Sequence, residues 1–296
     1  MVELLVVMTL LSLIVLALMA VFNSTQQAFR ASVTQTDVLE GSRNTVDLIT
    51  ADLRGLTPSD GSSNYIYDVR NGGTVNFFAT NNDTAHFLAY APLVQPLPGS
   101  NMQRTNLLQW FFVLGRVNTK WTGAGYVVNS GSASPLYPLY RFYAETNISA
   151  NPVGLFSQFV GDINALRINP DQATNLSHVM DGVVHFVVRA YDPNGYQLTN
   201  TVQYKSGQLT TNRNIWFSAP QWGEAGFCMF SNVVPAAVEL QLGVLEDRAL
   251  ERAGSLPFQS PAQLSYLAQQ AGKIHLFRQR VTIPNVDPSA YLPPNQ

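Results

Sequence analysis

From Met1 to Phe22 the only polar side chains are Glu3, Thr9 and Ser12, and neither Gly nor Pro interrupts the run. Such a stretch predicts a continuous helix. At about 1.5 Å per residue it reaches roughly 33 Å, enough to cross the hydrocarbon core of a bilayer. Beyond Phe22 the pattern changes without breaking. Apolar or neutral residues recur at Phe29, Val33, Thr36, Leu39, Val46, Ile49, Leu53 and Leu56, in steps that follow one helical face. Gln27, Arg30, Gln35, Asp37, Arg43, Asn44, Asp47 and Asp52 fall between them and are expected to face water. Gly41 costs about 1 kcal/mol relative to Ala and admits a bend, and Gly55 followed by Thr57 and Pro58 supplies a stop. The expectation is one rod of about 54 residues, roughly 80 Å long, with a greasy first half (1–22) and an amphipathic second half (23–56).

After Pro58 the period shortens to two. Runs at 64–69, 74–79 and 86–90 are rich in aromatic and β-branched residues and are separated by Asn-Gly-Gly or Asn-Asn-Asp. Segments 107–114, 126–128 and 139–143 continue in the same style, and 183–191 is the strongest strand. Asp192-Pro193-Asn194-Gly195 then reads as a turn, with 196–204 returning beside that strand. A further strand is expected over 237–244 and a last one over 273–283. Ser260-Pro261 opens a short helix over 261–271, with Ser260 as its N-cap. Pro284 onward reads as an exposed tail. The fold class is therefore α+β: a long N-terminal helix followed by a mostly antiparallel β head over 57–296.

Composition narrows the function. The 296 residues are 46% hydrophobic and 11% aromatic, which excludes disorder. Only 12% are charged, with a net charge of -2, so the basic stripe that nucleic-acid binding needs is missing. Polarity comes from amides and hydroxyls, as suits a chain working outside the cytoplasm. Cys228 is the one cysteine, which rules out an internal disulfide or a Cys-cluster zinc site.

Glu3 is the informative residue of the apolar run. A carboxylate costs about 2.5–3.5 kcal/mol at the centre of a membrane helix and less near its end. It can sit at headgroup level, or it can require a positive partner inside an assembly. A cleaved secretory signal fits poorly, because no Lys or Arg precedes Arg30 and 22–25 is a weak cleavage site.

The segment Met1-Val2-Glu3-Leu4-Leu5-Val6-Val7-Met8-Thr9-Leu10-Leu11-Ser12-Leu13-Ile14 resembles the N-terminus of type IV pilins and type II secretion pseudopilins. That family's mature chain starts with a methylated Phe, then Thr, two apolar residues, a hallmark Glu and a long apolar helix. Glu3 falls on that Glu. The family's basic leader, its Gly cleavage position and the Phe-Thr pair of the N-terminal methylation motif are expected just upstream of Met1, lost to a late start or a truncation. The stretch 38–54 is similar to the second half of the helix in the larger minor members, the J-type pseudopilin and the W-type minor pilin. There Arg43, Asp47, Asp52 and Arg54 occupy the places of a charged ladder, to which the resemblance gives a subunit interface; Arg43 and Asp47 are also an i,i+4 pair. A strand ending in Tyr191-Asp192, a turn, Trp216 or Trp222, and a Pro-led strand after Val234-Pro235 loosely match the J-type head.

The resemblance implies a minor pseudopilin or minor pilin: a structural, non-catalytic subunit whose helix packs in a filament core, at the tip or during initiation. Glu3 would neutralise the N-terminal amine of a neighbouring subunit. Its partners would be other pilins or pseudopilins through the N-terminal helix, membrane lipid before assembly, and a prepilin peptidase if a leader lies upstream. The location would be the bacterial inner membrane, single-pass, with the head in the periplasm or on an extracellular filament. Two other classes stay open: a single-pass membrane-anchored binding module or adhesin, and a membrane-tethered hydrolase.

Catalytic signatures are absent. The sequence has no Gly-x-Ser-x-Gly elbow, no His-Glu-x-x-His, no Walker A loop and no complete dinucleotide fingerprint. Gly123-Ala124-Gly125 reads as a plain turn, His185 as a strand residue rather than a ligand, and Cys228 as a buried thiol. No cofactor is expected. Structural calcium has two candidate oxygen-rich loops, 60–64 and 169–171, neither with EF-hand spacing. Trp110, Trp121 and the tyrosine-rich stretch 137–143 read as core, with an interaction patch as the alternative.

Overall fold

The computed structural model describes residues 2–59, 74–82, 92–131, 136–147, 152–168, 172–199, 202–205, 208–211, 214–217 and 224–291. The strands expected at 64–69 and 86–90, both oxygen-rich loops and Trp222 lie outside these residues. Helix α1 runs without a break over Val2–Arg54. The Gly55 amide closes it by donating to the carbonyls of Ala51 and Asp52, both at 3.2 Å.

A β-rich head follows. Its larger sheet has seven strands, β1 (Val75–Asn81), β4 (Gln109–Val117), β5 (Lys120–Val128), β6 (Leu139–Asn147), β7 (Leu176–Met180), β11 (Ile215–Phe217) and β12 (Phe227–Phe230). The order is β11-β12-β1-β4-β5-β6-β7, with neighbours antiparallel. A smaller sheet sets β13 (Ala237–Leu245) between β8 (Val183–Tyr191) and β14 (Ile274–Thr282). Two short hairpins complete the described strands: β2 (Leu93–Pro96) with β3 (Gln103–Asn106), and β9 (Val202–Lys205) with β10 (Gln208–Thr211). An apolar α1 followed by this antiparallel head is an α+β architecture.

Alternation along the strands explains the layers. Phe77, Phe111, Val113 and Tyr126 leave one face of the large sheet and meet Phe186, Val188, Leu240, Leu242 and Val281 of the small one. The second half of α1 joins this core through Val38, Val46, Ile49, Leu53 and Leu56. Phe78, Phe112 and Phe142 leave the opposite face, where helix α2 (Val153–Ile168) covers them with Leu155, Phe156, Phe159, Ile163 and Leu166. Both faces of the central strands β12, β1, β4 and β5 are thus buried nearly throughout, while β6 and β7 keep exposed positions. A third cluster seats α3 (Asp247–Gly254) and α4 (Pro261–Ala268) against Val184 and Leu245.

Several expectations are corrected. Helices α2 and α3 are additions to the sequence reading. Gly123-Ala124-Gly125 is the middle of β5, not a turn: a Cβ on Gly125 would stand 2.6 Å from the Phe159 ring, so glycine lets α2 lie against the sheet. Residues 284–291 are no exposed tail. They end in a 3-10 turn over Pro288–Tyr291, with Tyr291 buried and its hydroxyl donating to the Val234 carbonyl at 2.6 Å. Trp110 and Trp121 are both buried, so neither forms a surface patch. Helix α4 carries the expected Ser260 cap, accepting from the Gln263 amide, but stops at Ala268.

Candidate functional site

Segment Val2–Gln26 of α1 is long and apolar enough to cross a membrane, and none of its described side chains is buried against the head. Its hydroxyls bond back along the helix: Thr9 to the Val6 carbonyl, Ser12 to Met8 and Thr25 to Val21, at 2.7–2.9 Å. Donors satisfied this way let the helix present an apolar surface all round. Glu3, in the first turn, is exposed and has no ion-pair partner among the described residues.

The stripe drawn from sequence separates into two parts. Phe29 is 70% exposed, Thr36 is exposed and Leu39 half-buried, and Val38 is the first buried position among the described side chains of the helix. From Val38 to Leu56 the stripe is buried, and it includes small polar residues. Ser42 donates to the Val38 carbonyl at 2.6 Å, and Thr45 to Gly41 at 2.9 Å and to the Met180 sulfur at 3.3 Å.

Asp52 does not face water as its neighbours do. It lies one turn beyond Ile49 on the buried stripe, and its side chain is 13% exposed. Arg141 of β6 grips it with two parallel bonds, Nε to Oδ2 and Nη2 to Oδ1, both 2.8 Å. The Tyr126 hydroxyl of β5 donates to Oδ2 at 2.5 Å. Burial, then the Asp52 charge, pushes the Tyr126 hydroxyl far up, while the bond to Asp52 raises Arg141. The carboxylate thus stands among donors that stay protonated at any ordinary pH. The other ladder residues, Arg43, Asp47 and Arg54, are exposed on the helix surface, and no ion pair joins Arg43 to Asp47.

The helix exit is tied down as well. Leu56 forms a bridge to Gly115 of β4, Thr57 N donates to the Leu114 carbonyl at 2.9 Å, and Asn285 Nδ2 donates to the Leu56 carbonyl at 3.1 Å. Gly115 is required there, since a Cβ would sit 2.8 Å from Thr122 Oγ1 and 3.0 Å from the Gly55 carbonyl. Just beyond, the fully buried Asn76 accepts from Ser59 and donates to the carbonyls of Ser231 and Val233 at 2.7 and 2.9 Å.

The outer face of the small sheet holds the main polar network of the head. Glu239 accepts from Arg278 at 2.7 Å, from Gln241 at 2.9 Å, and from Arg189 and Tyr191 at 3.2 Å; Arg189 also pairs with Glu224. Burial alone would raise the Glu239 carboxyl, but these donors outweigh it and hold it at about 2. His185 Nδ1 accepts from the Leu107 amide at 3.2 Å, which puts the ring proton on Nε2, 3.4 Å from Gln241 Oε1. Burial pulls this histidine down to about 4, so it is neutral. Cys228 is fully buried, and burial pushes its thiol up. These groups satisfy one another, and none is left facing a cleft as a nucleophile beside a base. Among the described residues no cluster of His, Cys, Asp or Glu is placed to hold a metal. Trp216, the described member of the tryptophan pair, lies on β11 and is partly exposed.

The feature with no internal purpose is the bare half of α1, built as one piece with a half that is firmly clamped. No protein-family model, curated protein or solved structure matches this chain.

Proposed function

We propose that this protein is a minor pseudopilin or minor pilin, a non-catalytic subunit that inserts the first half of α1 into the core of a filament and holds its head outside. One observation carries the reading: a single 53-residue helix has a 25-residue apolar part that the head leaves untouched and a distal part fixed by the head. A membrane anchor alone needs only about 20 apolar residues. Here the rod also continues past the apolar part, and the side chains described between Gln26 and Val38, Phe29 and residues 35–37, are exposed, which leaves room for neighbouring rods to pack. Glu3 supports the same reading, since a carboxylate in an apolar bundle costs several kcal/mol unless a positive group meets it. In the filament that group is the N-terminal amine of the adjacent subunit, and before assembly the helix rests in the inner membrane.

The test replaces Glu3 with Ala in the full-length gene and follows incorporation into sheared filaments or secretion by the assembled machine. Expected is a chain that still fractionates with the membrane but no longer enters the filament. Unchanged assembly would remove the role of Glu3 and leave the helix as an anchor for a binding module.

A further inference from the structure

Apart from the two hairpins, four described strands end a sheet, β11 and β7 in the large one and β8 and β14 in the small one; β8 is met by Leu107, Leu108 and Leu198, and the other three are not alike. In the large sheet, β11 is three residues long, and β7 is five residues long and pairs through a shifted register. Short and irregular edges are the usual means of discouraging a further strand. The edge of the small sheet is different. Strand β14 is nine residues long, contains neither Gly nor Pro, and pairs with β13 from Ile274 to Thr282 without a register shift. No described strand lies on its other side. Helix α1 packs against β14 and β13, and among the described residues no main-chain hydrogen bond reaches the outer N–H and C=O groups of β14.

Charge is the one protective device left on this edge, and it has a sign. Between Glu251 and Asp287 the chain contains no acidic residue, while Lys273, Arg278 and Arg280 are basic. Leu276, Arg278, Arg280 and Thr282 alternate as the exposed positions. Two copies paired antiparallel over the whole of β14 would set Arg278 opposite Arg278 of the other copy, and like charges directly opposite are destabilising. A segment with carboxylates at alternate positions meets the reverse situation. Arg278 gives one nitrogen to Glu239 yet is 62% exposed, and a guanidinium has five donors. Arg280 lies over the Tyr191 ring at 3.9 Å and is paired with no carboxylate among the described residues.

We propose that β14 is a docking edge for an extended segment of a partner protein bearing carboxylates at alternate positions, which adds as a fourth strand with its acids against Arg278 and Arg280. Main-chain bonds supply affinity in such strand addition, and alternate side chains supply selection.

The test uses the full chain in detergent micelles and a labelled peptide, Thr-Val-Glu-Val-Glu-Val-Thr with capped ends. One twin has Lys for Glu, and another has Pro for each Val, keeping the acids but losing main-chain donors. Expected are anisotropy-measured binding about tenfold tighter for the Glu peptide than for the Lys twin, slowed amide exchange over 274–282, and no binding of the Pro twin. The charge reversals Arg278→Glu and Arg280→Glu together should switch preference to the Lys twin, which only a folded edge can show. Arg280→Glu alone, which touches no ion pair among the described residues, should weaken the Glu peptide about threefold. Equal binding of the Glu and Pro peptides would reduce the effect to ion exchange and overturn the proposal. Absence of Glu-peptide binding, or protection elsewhere than 274–282, would overturn it too.

Discussion

The two halves of α1 share one backbone and one helical geometry, yet their side chains answer to different surroundings. Between Val2 and Gln26 the described leucines, valines and isoleucine are all exposed; between Val38 and Leu56 a single stripe is covered, and it includes Ser42, Thr45, Thr50 and Asp52. The apolar half has nothing to specify a partner except shape and Glu3. The clamped half specifies its seat with paired hydrogen bonds. Hydrophobicity alone is thus a poor guide to which part of this helix is fixed: the greasier part is free, and the more polar part is docked.

Swapping the same substitution between the halves gives the largest expected contrast. Leu53 is fully buried, so Leu53→Ala should cost the head about 3 kcal/mol, read as a lowered denaturation midpoint in near-UV circular dichroism. Leu13→Ala, on the bare half, should leave that midpoint where it was. A Leu13→Ala loss matching that of Leu53→Ala would mean that the head does cover the first half. A charged pair sharpens the contrast within the clamped half. Asp52→Ala strands Arg141 in a partly buried site and should destabilise by about 2–3 kcal/mol, whereas Asp47→Ala should stay within about 0.5 kcal/mol. Equal effects in thermal melts would break the distinction between the gripped carboxylate and its exposed neighbour.

The third contrast is in pH, and it belongs to the head. Burial keeps His185 neutral, so the unfolded chain takes up a proton where the folded chain does not. This contribution is complete above about 6.5 and is lost as the pH falls toward about 4, at most about 3 kcal/mol. Glu239 acts lower, its stabilisation fading as pH drops from about 4.5 to about 2. Denaturation midpoints between pH 7 and 4 should fall for the native chain and flatten in His185→Gln. An equally steep fall in the variant would show that another group titrates.

The sequence reveals most where a long period repeats. Strand Val183–Tyr191 has the predicted ends, β13 and β14 come within a residue of theirs, and α1 stops where Gly55 says it should. Helix α2 was also legible, since Leu155, Phe156, Phe159, Ile163 and Leu166 keep a helical spacing; Gly154 and Gly161 weaken its local propensity and hide it. Gly123 and Gly125 mislead for the same reason. Gly125 admits the Phe159 ring from a helix some thirty residues on, and Gly123 makes room for the Phe112 ring of β4 and for Leu155, which no local rule contains. The Asp52 grip was out of reach altogether. Its partners stand 74 and 89 residues away, and an aspartate near the end of an amphipathic helix looks the same whether water or arginine meets it.

The joint between rod and head also fixes how tension would travel. Leu56 and Thr57 attach at β4, the middle strand of seven, with three strands on either side, and Asp52 is held by the next two strands, β5 and β6. A pull along the rod therefore enters the sheet at its centre and is shared by three adjacent strands, whereas attachment at a rim would peel strands away one at a time. Were the rod gripped at one end and the head dragged at the other, this mounting would resist unzipping better than one at a rim strand.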